Sequence, residues 1–187
     1  MVALTSYYYF VSSLPMLRLG ESVPISSEEY LDGCRSQLST EFIEKIEQVA
    51  LVPDGTPRSA TEKQWQDWET YFRNALVRHR VEGTGKKPDQ WLRKETDVFP
   101  GLETRIEEAY ATENPASRQF ALDEIRWDKL DDLSIYHPYD LGALVIYRLR
   151  LLLAEEWSVL DTDTGYDQLE NILTDVEEQA NNVRNAV

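Results

Sequence analysis

From residue 141 to residue 154 the chain is apolar at nearly every position, interrupted only by Tyr147, Arg148 and Arg150. A helix that is apolar all round is normally a buried one. The stretch is too short and too charged to cross a bilayer, which takes about 20 largely apolar residues. Residues 138–160 are therefore expected to form the central helix of a helical domain. Arg148 and Arg150 lie about 200° apart on a helix of 3.6 residues per turn, so they cannot share a face. Either each reaches water along its aliphatic stem, or one is buried and paired with a carboxylate.

Upstream, the apolar pattern recurs in shorter units. Residues 4–17 are aromatic and β-branched, which would suit a strand, but the spacing of Tyr9, Phe10, Ser13 and Leu14 ahead of Pro15 favours a short helix. Ser26-Ser27-Glu28-Glu29 gives a capping box, with Glu29 reaching back. The helix behind it carries Tyr30, Leu31, Cys34 and Leu38 on one side. A second helix, starting at Ser39-Thr40-Glu41, carries Phe42, Ile43, Ile46, Val49 and Ala50. Residues 53–57 break the pattern with two prolines and a glycine. Thr61-x-x-Gln64 reads as another capping box, opening a long helix to about Val81 with a stripe of Trp65, Trp68, Phe72, Ala75, Leu76 and His79.

Residues 82–88 read as a flexible internal loop, and residues 90–99 fit neither helix nor strand. Residues 102–111 make a short helix. Asn114-Pro115 supplies an Asn cap and a proline at the first helical position. The helix it starts carries Phe120, Ile125, Trp127, Leu130 and Leu133. Beyond the central helix comes a polar turn at 161–165. Apolar residues then return every three or four positions: Tyr166, Leu169, Leu173, Val176, Ala180, Val183 and Val187, a three-heptad seam. This amphipathic helix over 164–187 either completes the core or is offered to a partner. No run of alternation argues for a sheet. The expected fold is all-α: a single helical domain over 1–187, a multi-helix bundle around the helix at about 138–160.

Charge narrows the function. The 187 residues carry 34 acidic and 19 basic side chains, a formal charge of -15. Such a chain repels nucleic acid and anionic membranes, both of which bind through clustered Lys and Arg. The one basic island lies around the 82–88 loop: Arg78, Arg80, Lys86, Lys87, Arg93 and Lys94, with Trp91 as an anchor if exposed. A single cysteine, Cys34, suits a reducing cytosol. The opening residues lack the basic start and apolar run of a signal peptide. Together these place the chain in the cytosol, with any membrane association made through a partner.

Catalytic and metal chemistry find little footing. His79, His137 and Cys34 are far apart in sequence, so no ligand cluster is visible. Asp161-Thr162-Asp163-Thr164-Gly165 approaches a calcium loop, but Tyr166 and Ile172 stand where its glycine and its twelfth-position acid belong. Cys34 falls on the apolar side of a helix, where a thiol is inert packing. Gly83-Thr84-Gly85-Lys86-Lys87 lacks the spacing and the strand of a phosphate loop. The acidic pairs Asp131-Asp132, Glu155-Glu156 and Glu177-Glu178 are adjacent in sequence and read as solvated faces. No catalytic residue, metal or cofactor is expected.

Three stretches carry a resemblance. Tyr7-Tyr8-Tyr9-Phe10-Val11-Ser12-Ser13-Leu14-Pro15, Asn114-Pro115 with Arg126-Trp127-Asp128, and Asp140-Leu141-Gly142-Ala143-Leu144 through Leu152, Trp157, Leu160-Asp161 and Gly165 resemble an uncharacterised bacterial family encoded with V-type (A/V-type) ATP synthase genes. The third is also distantly similar to the C (or d) subunit of those ATPases, an all-helical socket between rotor ring and shaft. That subunit is considerably longer, so this chain matches about one of its helical modules. The resemblance implies a non-catalytic accessory or stalk-type subunit that docks on stalk or rotor subunits. Its expected binding residues are Arg78, Arg80, Lys86, Lys87 and Trp91, joined by Leu169, Leu173 and Val176 if the last helix is donated. Two other readings stay open. One is a free-standing acidic helical adaptor or homodimer paired through the C-terminal helix. The other is a small helical hydrolase, which needs carboxylates converging in a concave pocket.

Overall fold

A computed structural model describes residues 7–82 and 84–158. Among them the regular structure is helical: α1 (Tyr8–Ser13), α2 (Ser27–Gln37), α3 (Thr40–Glu47), α4 (Ala60–Val81), α5 (Leu102–Tyr110), α6 (Pro115–Ser134) and α7 (Leu141–Ser158), with a 3-10 turn at Pro88–Gln90 and no strand. The expected helix over 164–187 lies outside the described residues. No helix among those described is long and apolar enough to cross a membrane.

α7 is the axis. It buries Leu144, Val145, Ile146, Leu149, Leu151, Leu153 and Ala154 and packs against α2, α3, α4 and α6. Each fully buried aliphatic side chain is worth about 1.5–3 kcal/mol, so this helix is a major source of cohesion. α6 runs antiparallel to it. Arg150 pairs with Asp131 toward one end, and Trp157 Nε1 donates to Asp123 Oδ2 at 3.0 Å toward the other. α4 runs parallel to α7, with Thr61 beside the start of α7 and Arg73 near Glu156 at its end. α2 and α3 pack on each other as a hairpin against α7.

Local chemistry explains most of the helix starts. Ser26 and Glu29 form the reciprocal capping box of α2. Asn114 Oδ1 accepts from the amides of Ala116 and Ser117, with Pro115 in the first turn of α6. α4 is capped differently from the sequence expectation. Ser59, not Thr61, takes the cap position and accepts from Glu62 N, which leaves Thr61 inside the first turn. α5 begins after Gly101, whose φ of 82° is a left-handed conformation that glycine adopts without strain. Residues 4–17 contain a helix, α1, but only six residues long. Residues 88–90 supply the one helical turn between α4 and α5. α3 stops at Glu47, so Val49 is buried in a following turn and Ala50 is exposed.

Candidate docking site

Three side-chain clasps hold the elements around α7 together, while buried Glu62, Gln66 and Asn74 bind residues of the loops beside α4. In the first, Glu69 of α4 is 0 % exposed and receives Arg126 of α6 at 3.0 Å, while Arg126 also reaches Asp123 Oδ1 at 2.6 Å. Arg73 binds the same Glu69 oxygen at 2.7 Å, and Gln119 and Trp157 complete Asp123. The Arg126 guanidinium also lies 4.4 Å from the Phe72 ring centroid. Burial alone would weaken its hold on a proton, but Glu69 and Asp123 outweigh that and raise its pKa. Glu156, at the edge of this cluster, has its pKa raised by desolvation and by Asp123.

The second clasp corrects the expectation that Glu155 belongs to a solvated pair. Glu155 accepts from Ser27 N at 2.7 Å and from the Ser27 hydroxyl, so a carboxylate of α7 sits on the first amide of α2. A negative group is favoured there by the helix dipole. Arg148, only 8 % exposed, donates to the same hydroxyl. Of the two arginines on the axis, Arg148 is thus buried and tied to Glu155 only through Ser27. Arg150 pairs directly with Asp131.

The third clasp is a hydroxyl–imidazole–carboxylate row. Thr61 Oγ1 lies 3.2 Å from His137 Nε2, and His137 Nδ1 lies 2.8 Å from Asp140 Oδ2. The order matches that of a hydrolase triad. However, Thr61 is buried, and Gly142 closes on the pair. A methyl at Gly142 would stand 2.5 Å from His137 Cγ and 2.7 Å from Thr61 Oγ1. No room for a substrate carbonyl remains at that hydroxyl. Asp140 instead caps α7 by accepting from Ala143 N.

Other reactive candidates are also built into the packing. Cys34 is fully buried, and burial pushes its thiol up to about 11. His79 packs against Tyr110, the rings tilted by 45° with centroids 4.1 Å apart. Among the described residues, no group of three or more His, Cys, Asp or Glu converges as a metal site.

The predicted island divides on inspection. Arg78 is held by Glu95 and Glu103. Arg93 donates to the Pro53 carbonyl at 2.9 Å and accepts its place beside Asn74, whose side chain brackets its backbone. Arg80 differs, because its Nε donates to the neutral hydroxyl of Tyr110 at 2.9 Å. Lys86 and Lys87 are exposed, and among the described residues neither pairs with a carboxylate. Trp91 is 47 % exposed. Leu169, Leu173 and Val176 lie outside the described residues.

One cation of this region escaped the sequence reading. Arg118, in the first turns of α6, lies over the Tyr110 ring at 5.4 Å and donates to the Thr112 carbonyl at 2.9 Å. A cation at the carbonyl end of α5 is electrostatically favoured. Tyr110 therefore carries two arginines, from α4 and α6, that share no carboxylate. No spacing rule reveals this, since residues 80, 110 and 118 meet only through the packing of three helices. Beside them Ala75, Val81, Pro88 and Ile106 floor a groove of about 470 Å³, rimmed by Arg78, His79 and Lys86 and by the carboxylates of Glu82, Glu103 and Glu107. The groove thus mixes both signs of charge around an apolar floor, with Arg80 and Arg118 meeting on Tyr110.

Among the described residues the fold is all-helical, with no strand. A family described as a protein of unknown function (DUF2764) matches residues 95–180, spanning α5 to α7 and continuing beyond them. No curated protein and no solved structure matches the chain.

Proposed function

We propose that the chain is a non-catalytic accessory or central-stalk-type subunit of a V-type, proton- or sodium-translocating ATPase, working by docking to stalk or rotor subunits. The rotary-motor assignment rests on the resemblance carried by residues 7–15, 114–128 and 140–165. The observation that carries the docking role is the contrast in how charge is used. Glu69, Asp123 and Arg126 pair with one another inside the bundle, whereas Arg80, Lys86 and Lys87 are exposed without carboxylate partners among the described residues, and Trp91 is also exposed. The acidic remainder of the surface steers the protein toward basic faces of a partner. A V-type C-subunit-like module is the architecture that this reading gives to the bundle.

Co-purification with tagged shaft and catalytic subunits is the direct test. The wild-type chain should be recovered with them, and Arg80→Glu/Lys86→Glu/Lys87→Glu should be lost while keeping its helical circular dichroism. A clean pull-down containing none of those subunits removes the assignment.

A further inference from the structure

A second groove, also of about 470 Å³, lies between α5 and α6. Its floor is apolar, made by Leu19 from the segment after α1, Ala109 of α5, and Phe120 and Ile125 of α6. Its rim is acidic: Glu108, Glu124 and Asp128 line it against one cation, Arg105. Helical spacing sets this up. Arg105, Glu108 and Ala109 share one face of α5, and Ala121, Glu124, Ile125 and Asp128 share one face of α6. Arg105 is already spent, because its Nη2 donates to Asp128 Oδ2. Arg18, next to Leu19, is paired with Glu21 at 3.3 Å. Arg118 lies over the Tyr110 ring and donates to the carbonyl of Thr112, which confines its charge to the Thr112 end of the groove. Glu108 and Glu124 are exposed, and among the described residues neither meets a cation.

We propose that this groove receives a basic amphipathic segment of a partner protein. The segment's apolar residues enter between α5 and α6, and its Lys or Arg side chains pair with Glu108 and Glu124. Charge complementarity selects this occupant. Once Arg105 and Asp128 cancel, the lining keeps two carboxylates beside an apolar floor, a combination that rejects acidic chains and suits a cation carried on an aliphatic stem. The chain's own residues 159–187 have the wrong sign, with seven carboxylates and a single arginine, Arg184. The groove beside Arg78 offers no such selection, because its carboxylates are mixed with Arg78 and Lys86. Both walls of the α5–α6 groove lie within the residues 95–180 that the family model matches, whereas Arg80, Lys86 and Lys87 precede them. The proposal rests on the reading of the chain as a docking protein and adds the chemistry of the partner's contact. It is independent of which complex that partner belongs to.

The test titrates the full-length protein into a dye-labelled amphipathic peptide of leucine and lysine at physiological ionic strength, read by fluorescence anisotropy. The peptide should bind, and carbodiimide should link its lysines to Glu108 and Glu124, as mapped by mass spectrometry. Glu108→Gln/Glu124→Gln should weaken binding about tenfold, as loss of two surface charge contacts would. Glu44→Gln/Asp89→Asn removes the same charge from exposed positions outside the groove and should weaken it less than about twofold. A peptide with alanine in place of leucine should bind at least about tenfold more weakly, because the floor is apolar. Absence of binding overturns the proposal. So do links spread evenly over the acidic surface, equal losses in the two double variants, and an alanine peptide that binds as well. Self-association of the chain alone, abolished by Glu108→Gln/Glu124→Gln in sedimentation, also overturns it, because a second copy would then fill the groove. Peptide binding without co-purification of ATPase subunits removes the rotary assignment alone, and co-purification without peptide binding removes the groove alone.

Discussion

The Glu69–Arg126–Asp123 cluster and the Tyr110 end of the bundle use the same residue types to opposite effect. Within the cluster, every charge meets an opposite charge, since an unpaired ion in that environment would cost several kcal/mol. At the end, Arg80 and Arg118 settle on a phenol, its ring and backbone carbonyls. These neutral partners hold the side chains in place without cancelling their charge. The interior charges therefore fix how α4, α6 and α7 sit together, and the end charges are held without being neutralised.

Removing one member of the interior set is the most severe way to break this contrast. Glu69→Ala leaves Arg126 and Arg73 without their shared carboxylate and should lower the unfolding free energy by about 3–5 kcal/mol, measured by urea denaturation. Replacing Glu69 and Arg126 together with Leu and Met should recover much of that loss, because the stranded charge is removed as well. A loss below about 1 kcal/mol for Glu69→Ala would mean that the cluster is hydrated and that the contrast is false.

A milder test places a new charge in the interior by titration. The folded Cys34 thiol is raised from an ordinary value of 9.0 to about 11 by burial. The folded state therefore binds its proton more tightly than the unfolded chain does. That contribution to stability is complete below pH 9 and is lost as the pH rises toward 11. The urea midpoint should fall across this window in the wild type and fall less in Cys34→Ala. At pH 8 a thiol-alkylating reagent should label Cys34 only after unfolding. Rapid labelling of the native protein would contradict its burial.

The smallest effect belongs to the basic end. Arg80→Ala, Lys86→Ala and Lys87→Ala should each change stability by less than about 0.5 kcal/mol in the same assay, as exposed charges without ion partners do. A larger loss at Lys86 or Lys87 would show that these lysines are part of the framework and would sharpen the comparison in favour of a structural role.

Much of the framework was legible beforehand because it rests on local rules. The apolar run at 141–154, the Ser26/Glu29 box and the Asn114-Pro115 start act within one or two turns of chain, so composition and spacing suffice to locate α7, α2 and α6. Where a rule had two nearby solutions, the sequence chose wrongly, as with Thr61 in place of Ser59. Glu155 was misread for a different reason. Its neighbour Glu156 suggested a solvated pair, while its true partner, Ser27, lies 128 residues away.

The sequence by itself determined that this protein is helical, that α7 lies inside it and that charge is concentrated in an acidic chain with one basic island. Those properties follow from periodicity and composition, which each segment carries alone. Only the tertiary structure decided which charges are spent and which remain. It withdrew Arg78 onto Glu95 and Glu103, added Arg118 to Arg80 at Tyr110, and brought the end of α7 to the same place. Pairing of that kind depends on distances between helices far apart in the chain, and no local pattern encodes them.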